Sequence, residues 1–247
     1  MSMAFGHDEI DKYAKTSRLY SFDPRVKLAG TIIFVIAVAL LRDIAILFWA
    51  LLFIILLIEV SGVPLLHIAE NYAIAFPFVL FAALTMFFTS GPESALAIAM
   101  RISTSVLALL LMIATTPFFD TLRALRWFKV PPLICNLIMF TYRFIFVLLD
   151  EMGRMRLARK SRGFTGGRSL LDKEALKTIS YTIGMVFVRS NVRAGKIYDA
   201  LLSRGYSGEI KTLTLLKVRA RDAFMGLMYV SLSAYLIASQ LGVVPWT

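Results

Sequence analysis

A single cysteine, Cys135, stands among 247 residues, so the chain closes no disulfide of its own. Its two histidines, His7 and His67, are far apart, and no Cys/His spacing suggests a zinc site. No metal ligand set is expected. No G-x-x-x-x-G-K-[ST] occurs, and the nearest glycine-rich stretch, Gly163 to Arg168, has the wrong spacing for a phosphate loop. The chain is therefore expected to hold no nucleotide and no cofactor. Charge is scarce at 17%, against about 25% in ordinary soluble domains, while hydrophobic residues reach 58%. This excludes a disordered chain or a disulfide scaffold, and argues against a soluble enzyme. The first twenty residues are polar and lack the basic start and apolar core of a signal peptide. Membrane insertion is expected to use internal helices.

What is present in quantity is long apolar sequence. A spanning helix needs about 20 apolar residues. Asn71 to Pro92, Ile102 to Phe119 and Ala223 to Thr247 carry no charge and read as spans. Leu28 to Ile58 is interrupted only by Arg42-Asp43. One helix of that length would run about 46 Å, too long for a hydrocarbon core of about 30 Å. Two spans joined by a tight turn at Arg42-Asp43 fit better, with Lys27 snorkelling at the start of the first. Val130 to Leu149, apolar except for Arg143, and Thr178 to Val188 read as interfacial or packed helices rather than spans. The small residues of Ser103 to Ala114 predict close helix packing. The fold expected is an all-α membrane protein with about five transmembrane helices.

Its net charge of +11 is unevenly placed. Between Phe118 and Asp222 lie 20 of the 27 Lys and Arg, against 8 Asp and Glu. Such an excess marks the cytoplasmic side of a membrane protein. Nucleic acid is not indicated, because no recognition fold accompanies the charge. Four spans between the N-terminus and this segment put both inside. The divisions expected are a cytoplasmic segment 1–25, a transmembrane region 26–117, a cytoplasmic or interfacial region 118–222, and a last span 223–247.

Within the basic segment the sequence repeats itself. Residues 154–166 and 196–208 align without gaps, with Ala158/Ala200, Ser161/Ser203, Arg162/Arg204, Gly163/Gly205 and Gly166/Gly208 identical. Phe164/Tyr206 and Thr165/Ser207 match in kind. Each copy reads as a helix ended by a left-handed glycine, its arginine at the negative end of the helix dipole. One such tip is an ordinary helix cap. Two with the same short sequence suggest two equivalent docking sites, as a symmetric dimer offers. An arginine there suits carboxylates or helix C-termini.

At these residues the chain resembles the transmembrane T component of energy-coupling-factor transporters, ABC-type importers of micronutrients. The Ser-Arg-Gly tips look like that family's paired Ala-Arg-Gly motifs, with serine for alanine at 161 and 203. Asp23-Pro24-Arg25-Val26-Lys27 resembles its entry to the first span. Ile10-Asp11-Lys12-Tyr13-Ala14 is similar to the cobalt/nickel branch, the CbiQ type. The resemblance implies two long amphipathic coupling helices ending in the tips. It implies Ser161, Arg162, Gly163, Ser203, Arg204 and Gly205 as the sites meeting two ABC ATPase subunits, an identical pair, which carry the ATP and magnesium. Arg143, Asp150, Glu151, Arg159 and Tyr206 are implied as supporting residues. A separate CbiM-like membrane subunit would bind the ion, with a small accessory membrane subunit as a further partner. The chain itself would be a non-enzymatic, multi-pass cell-membrane protein.

Other readings remain beside this one. A vitamin-type transporter would use the same kind of subunit. A membrane-embedded lipid enzyme would need clustered carboxylates or histidines, and only Glu59, His67 and Glu70 come near each other. Solvated loop ends explain those three more simply. Arg143 is expected to pair with Asp150 or a neighbouring acid, or to snorkel.

Overall fold

The computed structural model describes residues 17–163, 173–207 and 220–240. His7, Ile10 to Ala14, Phe164 to Arg168, Gly208 and the end of the expected last span lie outside these residues. After a short 3-10 turn at Arg18–Ser21 the described residues form eight helices. They are α1 (Pro24–Leu40), α2 (Ile44–Ser61), α3 (Leu65–Ser90), α4 (Pro92–Thr115), α5 (Phe118–Trp127), α6 (Pro132–Ser161), α7 (Lys173–Ser203) and α8 (Ala220–Gln240). No strand occurs among the described residues. The chain is an all-α membrane protein. It divides into two compact units. One includes α1 to α5 and α8, and the other is the pair α6 and α7.

Helix boundaries follow local chemistry. At α1, Pro24 occupies the first turn and the Asp23 carboxylate accepts the Arg25 N–H at 2.9 Å, satisfying an orphan donor. The expected break at Arg42-Asp43 is present, between Leu40 and Ile44. There Gln240 Oε1 accepts the Arg42 N–H at 2.8 Å, and Arg101 donates to the Leu41 carbonyl. Gly62, at φ 72°, ends α2. The fourth helix begins at Pro92, ten residues before the charge-free run from Ile102 suggested. Arg101 sits inside it because its guanidinium has that carbonyl to bind.

In the first unit α4 is central and packs on α1, α2 and α3. Thr104 and Ala108 are buried, and Tyr72 of α3 bonds Ser103 of α4 at 2.7 Å, so the small-residue stretch does bring helices close. Phe34, Phe53 and Tyr229 meet edge-on or tilted at the junction of α1, α2 and α8. Elsewhere the unit shows large apolar side chains outward: on α3, Ile74, Phe78 and Phe88 are at least two-thirds exposed. Outward apolar faces suit a helix bathed in lipid.

By length and composition five described helices can cross a membrane: α2, α3, α4, α6 and α8. The first helix has 17 residues, about 26 Å, at the short end of the spanning range. The inclusion of α6 differs from the sequence expectation. Arg143 interrupts the run from Val130 but does not break the helix, which continues to Ser161. Lys27 also differs: it does not snorkel. It is 3% exposed, and its Nζ donates to the Thr115 carbonyl at 3.0 Å. That carbonyl belongs to the last turn of α4 and has no partner within its own helix. Asp120 and Asp222 offset the buried charge.

Candidate functional site: two matched helix tips

The two repeated segments end their helices by the same hydrogen bonds. In the first, the Arg162 N–H donates to Arg159 O at 3.0 Å and the Gly163 N–H to Lys160 O at 3.1 Å. In the second, Arg204 N–H donates to Leu201 O at 3.1 Å and Gly205 N–H to Leu202 O at 2.9 Å. The Tyr206 N–H reaches back to Leu201 O at 3.0 Å, completing a Schellman turn. Gly163 and Gly205 have φ of 83° and 76°, a region costly for residues with a Cβ. The Ser161 and Ser203 hydroxyls each donate one turn back, to Leu157 O and Asp199 O. Serine therefore keeps its side chain on its own helix. Ser161, Arg162, Gly163, Ser203, Arg204 and Gly205 are all exposed.

Behind the tips, α6 and α7 run antiparallel. Glu151 accepts from Arg189 across the pair, and from Arg154 at 2.9 Å on its own helix. Arg159 donates to Thr182 Oγ1 at 2.7 Å. Glu151 lies in the charged half of α6, beyond the apolar stretch. Its bonds from Arg189 and then Arg154 hold its carboxyl below the ordinary glutamate range. Past Glu151 the helices part around an apolar groove of about 440 Å³. Phe140, Phe144 and Leu148 of α6 line it, facing Ile197, Leu201 and Tyr206. The pairing places Arg204 opposite the start of α6. The two tips therefore sit at opposite ends of the pair, separated by some 25 residues of helix, or about 38 Å.

Of the expected supporting residues, Glu151, Arg159 and Tyr206 belong to this assembly. Arg143 and Asp150 do not. Both are exposed, and seven residues of helix, about 10 Å of rise, keep them from the expected ion pair. The acid that is used is the next residue, Glu151. Its partner Arg189 was missed, because nothing in the local pattern signals a contact made across a hairpin. Among the described residues no group of three or more His, Cys, Asp or Glu gathers to hold a metal. Glu59 and Glu70 are exposed, while His67 approaches Asn71.

A comparison of the sequence with family profiles matches residues 15–214 to CbiQ, the cobalt transport protein. The chain belongs to the CbiQ family. Among its relatives is the cobalt transport protein CbiQ of Rhodobacter capsulatus, 30% identical over 61% of this chain and 60% of the relative. The energy-coupling factor transporter transmembrane protein EcfT of Staphylococcus aureus is 24% identical over 89% of this chain and 92% of that protein. An uncharacterized protein of Methanocaldococcus jannaschii is 24% identical over 95% and 87%. With its apolar helices, this makes the CbiQ-family chain a multi-pass transmembrane component of an energy-coupling-factor type transporter.

Proposed function

We propose that the chain is the coupling subunit of a cobalt or nickel importer. It passes the movement of two identical ABC ATPase subunits to a separate, CbiM-like ion-binding membrane subunit. The observation that carries this reading is the pair of tips with matched hydrogen bonds and exposed arginines. Each presents one cation to a separate protomer. Arg162 and Arg204 bind grooves on the two ATPases, and ATP and magnesium stay on those partners. When the ATPases close, their movement enters α6 and α7 through the tips. The groove between those helices offers the ion-binding subunit an apolar seat. A small accessory membrane subunit is a further partner.

In this reading the spans are α1 to α4 and α8, with the N-terminus and residues 118–222 on the cytoplasmic side of the cell membrane. The sixth helix lies with α7 rather than across the bilayer. Its apolar half shares the groove with Arg193 of α7, and Lys196 and Arg204 follow along the same segment. A crossing α6 would carry these into hydrocarbon, at about 2.5–3.5 kcal/mol for each one near the centre.

The test is co-purification of the chain with its genomic neighbours, wild type against Arg162→Glu with Arg204→Glu. Two ATPase subunits per chain with wild type, and their loss in the variant, support coupling. Unchanged ATPase binding in the variant refutes it. A second reading keeps the mechanism and changes the cargo to a vitamin, as the resemblance to energy-coupling-factor transporters also allows. The membrane subunit that co-purifies distinguishes the two.

A further inference from the structure

Where α1 and α8 cross, two glycines let the helices approach closely. A Cβ on Gly30 would lie 2.9 Å from the Tyr229 ring, and one on Gly226 would lie 2.9 Å from a Val26 methyl. The larger neighbours Ile33 and Val230 then stand outward as walls, leaving a cleft of about 240 Å³ with Ala29 and the two glycines in its lining. The cleft faces outward among exposed Ile36, Phe224 and Leu227. Arg25 and Trp127 also line it, where α1 begins and α5 ends, and the Arg25 guanidinium lies 5.6 Å from the Trp127 ring centroid.

Arg25 is an uncommitted cation. Its backbone N–H is held by Asp23, but no described carboxylate pairs with its guanidinium, and its buried Nε has no hydrogen-bond partner. Two nearby acids are occupied, and the third, Asp23, accepts the Arg25 N–H with one oxygen while its other buried oxygen has no hydrogen-bond partner. Asp120 is paired with Arg123 at 2.7 Å, and Asp222 accepts the Asp23 N–H at 2.9 Å and faces Lys27. Arg126 on α5, Lys129 just beyond it and Arg221 on α8 join Arg25, Lys27 and Arg123, so cations outnumber the acids Asp23, Asp120 and Asp222. Trp127, 56% exposed, is the kind of residue that sits at headgroup level.

We propose that this cleft binds one anionic phospholipid, with its phosphate at Arg25 and an acyl chain lying between Ile33 and Val230. An apolar channel with a free arginine and an interfacial tryptophan at its mouth matches both ends of such a molecule. The volume takes a length of chain, not a whole drug-sized ligand.

The full chain carrying Trp49→Phe and Trp246→Phe keeps Trp127 as its one tryptophan. It is reconstituted in phosphatidylcholine vesicles containing a rising fraction of phosphatidylglycerol brominated on its chains, or of phosphatidylcholine so brominated. Half-maximal quenching of Trp127 is expected at about a fivefold lower fraction of the anionic lipid, the worth of one cation near a charged headgroup. Arg25→Gln should bring the ratio to one, and Arg25→Lys should keep most of it. Val230→Phe, which fills the cleft, should weaken quenching by both lipids. An excess of inorganic phosphate should leave quenching unchanged, and displacement by it would point to a soluble anion instead. Equal quenching by the two lipids overturns the headgroup assignment. No quenching by either means that protein fills the cleft. If Arg25→Gln does not fold, the wild-type ratio decides alone.

Discussion

Replacing the tip glycines tests whether the left-handed turn, rather than the mere presence of arginine, makes the tips work. A Cβ at Gly163 or Gly205 would meet nothing within 4 Å, so alanine brings no clash. The cost is backbone strain alone, about 1–2 kcal/mol at a positive φ. At each tip that lowers the ratio of folded to frayed turn by about 5- to 30-fold. Asparagine tolerates this region better and should recover much of the loss. The tips are about 38 Å apart, several screening lengths of roughly 8 Å at physiological salt. Their effects should therefore add as free energies. If each alanine weakens ATPase binding tenfold, the double variant should weaken it about a hundredfold. The assay is binding of the purified ATPase subunits to the solubilised chain, measured for Gly163→Ala, Gly205→Ala, the double variant and the asparagine versions. Alanine variants that bind like wild type refute the argument. So would asparagine variants as weak as alanine, since backbone conformation would then not be the cause.

Three further outcomes follow from the packing. Lys27→Met should destabilise the chain by about 1–3 kcal/mol, because it leaves the buried Thr115 carbonyl without its donor and buried Asp222 without the cation that faces it; reversible unfolding in mixed detergent measures this, and a loss below about 1 kcal/mol would remove the buried lysine from the fold's essentials. Gly30→Ala should cost about 1–3 kcal/mol, since the buried Tyr229 ring cannot retreat, whereas Gly226→Ala meets only a movable Val26 methyl and should cost less; the same unfolding experiment checks the order. Glu151→Gln should loosen α7 by weakening the tie to Arg189, seen as faster hydrogen exchange around residues 182–193; unchanged exchange would show that the tie does not hold the pair.

Features governed by neighbouring residues were legible in the sequence. The turn at Arg42-Asp43 follows from a length limit, and both tips follow from glycine's tolerance of positive φ. The resemblance carried by those tips led to the family that the profile match shows. Features made by distant residues were not legible. The end of the charge-free run at Ile102 hid ten residues of α4, because nothing local shows that Arg101 will meet the Leu41 carbonyl. Lys27 looks like a snorkelling lysine until the end of α4 arrives beside it. Arg143 reads as the charge that needs a partner, yet the paired acid is Glu151, and one of its two cations comes from the other helix.

The tie between Glu151 and Arg189 divides α6 and α7 into arms of unequal length. Arg162 lies 11 residues from Glu151, about 16 Å, and Arg204 lies 15 residues from Arg189, about 22 Å. Beyond the tie toward Arg204 the helices part around the groove; toward Arg162 they stay bound through Arg159 and Thr182. If that tie acts as a pivot, one ångström of travel turns the short arm by about 3.5° and the long arm by about 2.5°. Equal strokes at the two ends therefore produce unequal rotations, so in the proposed coupling role two identical ATPases would drive an asymmetric tilt.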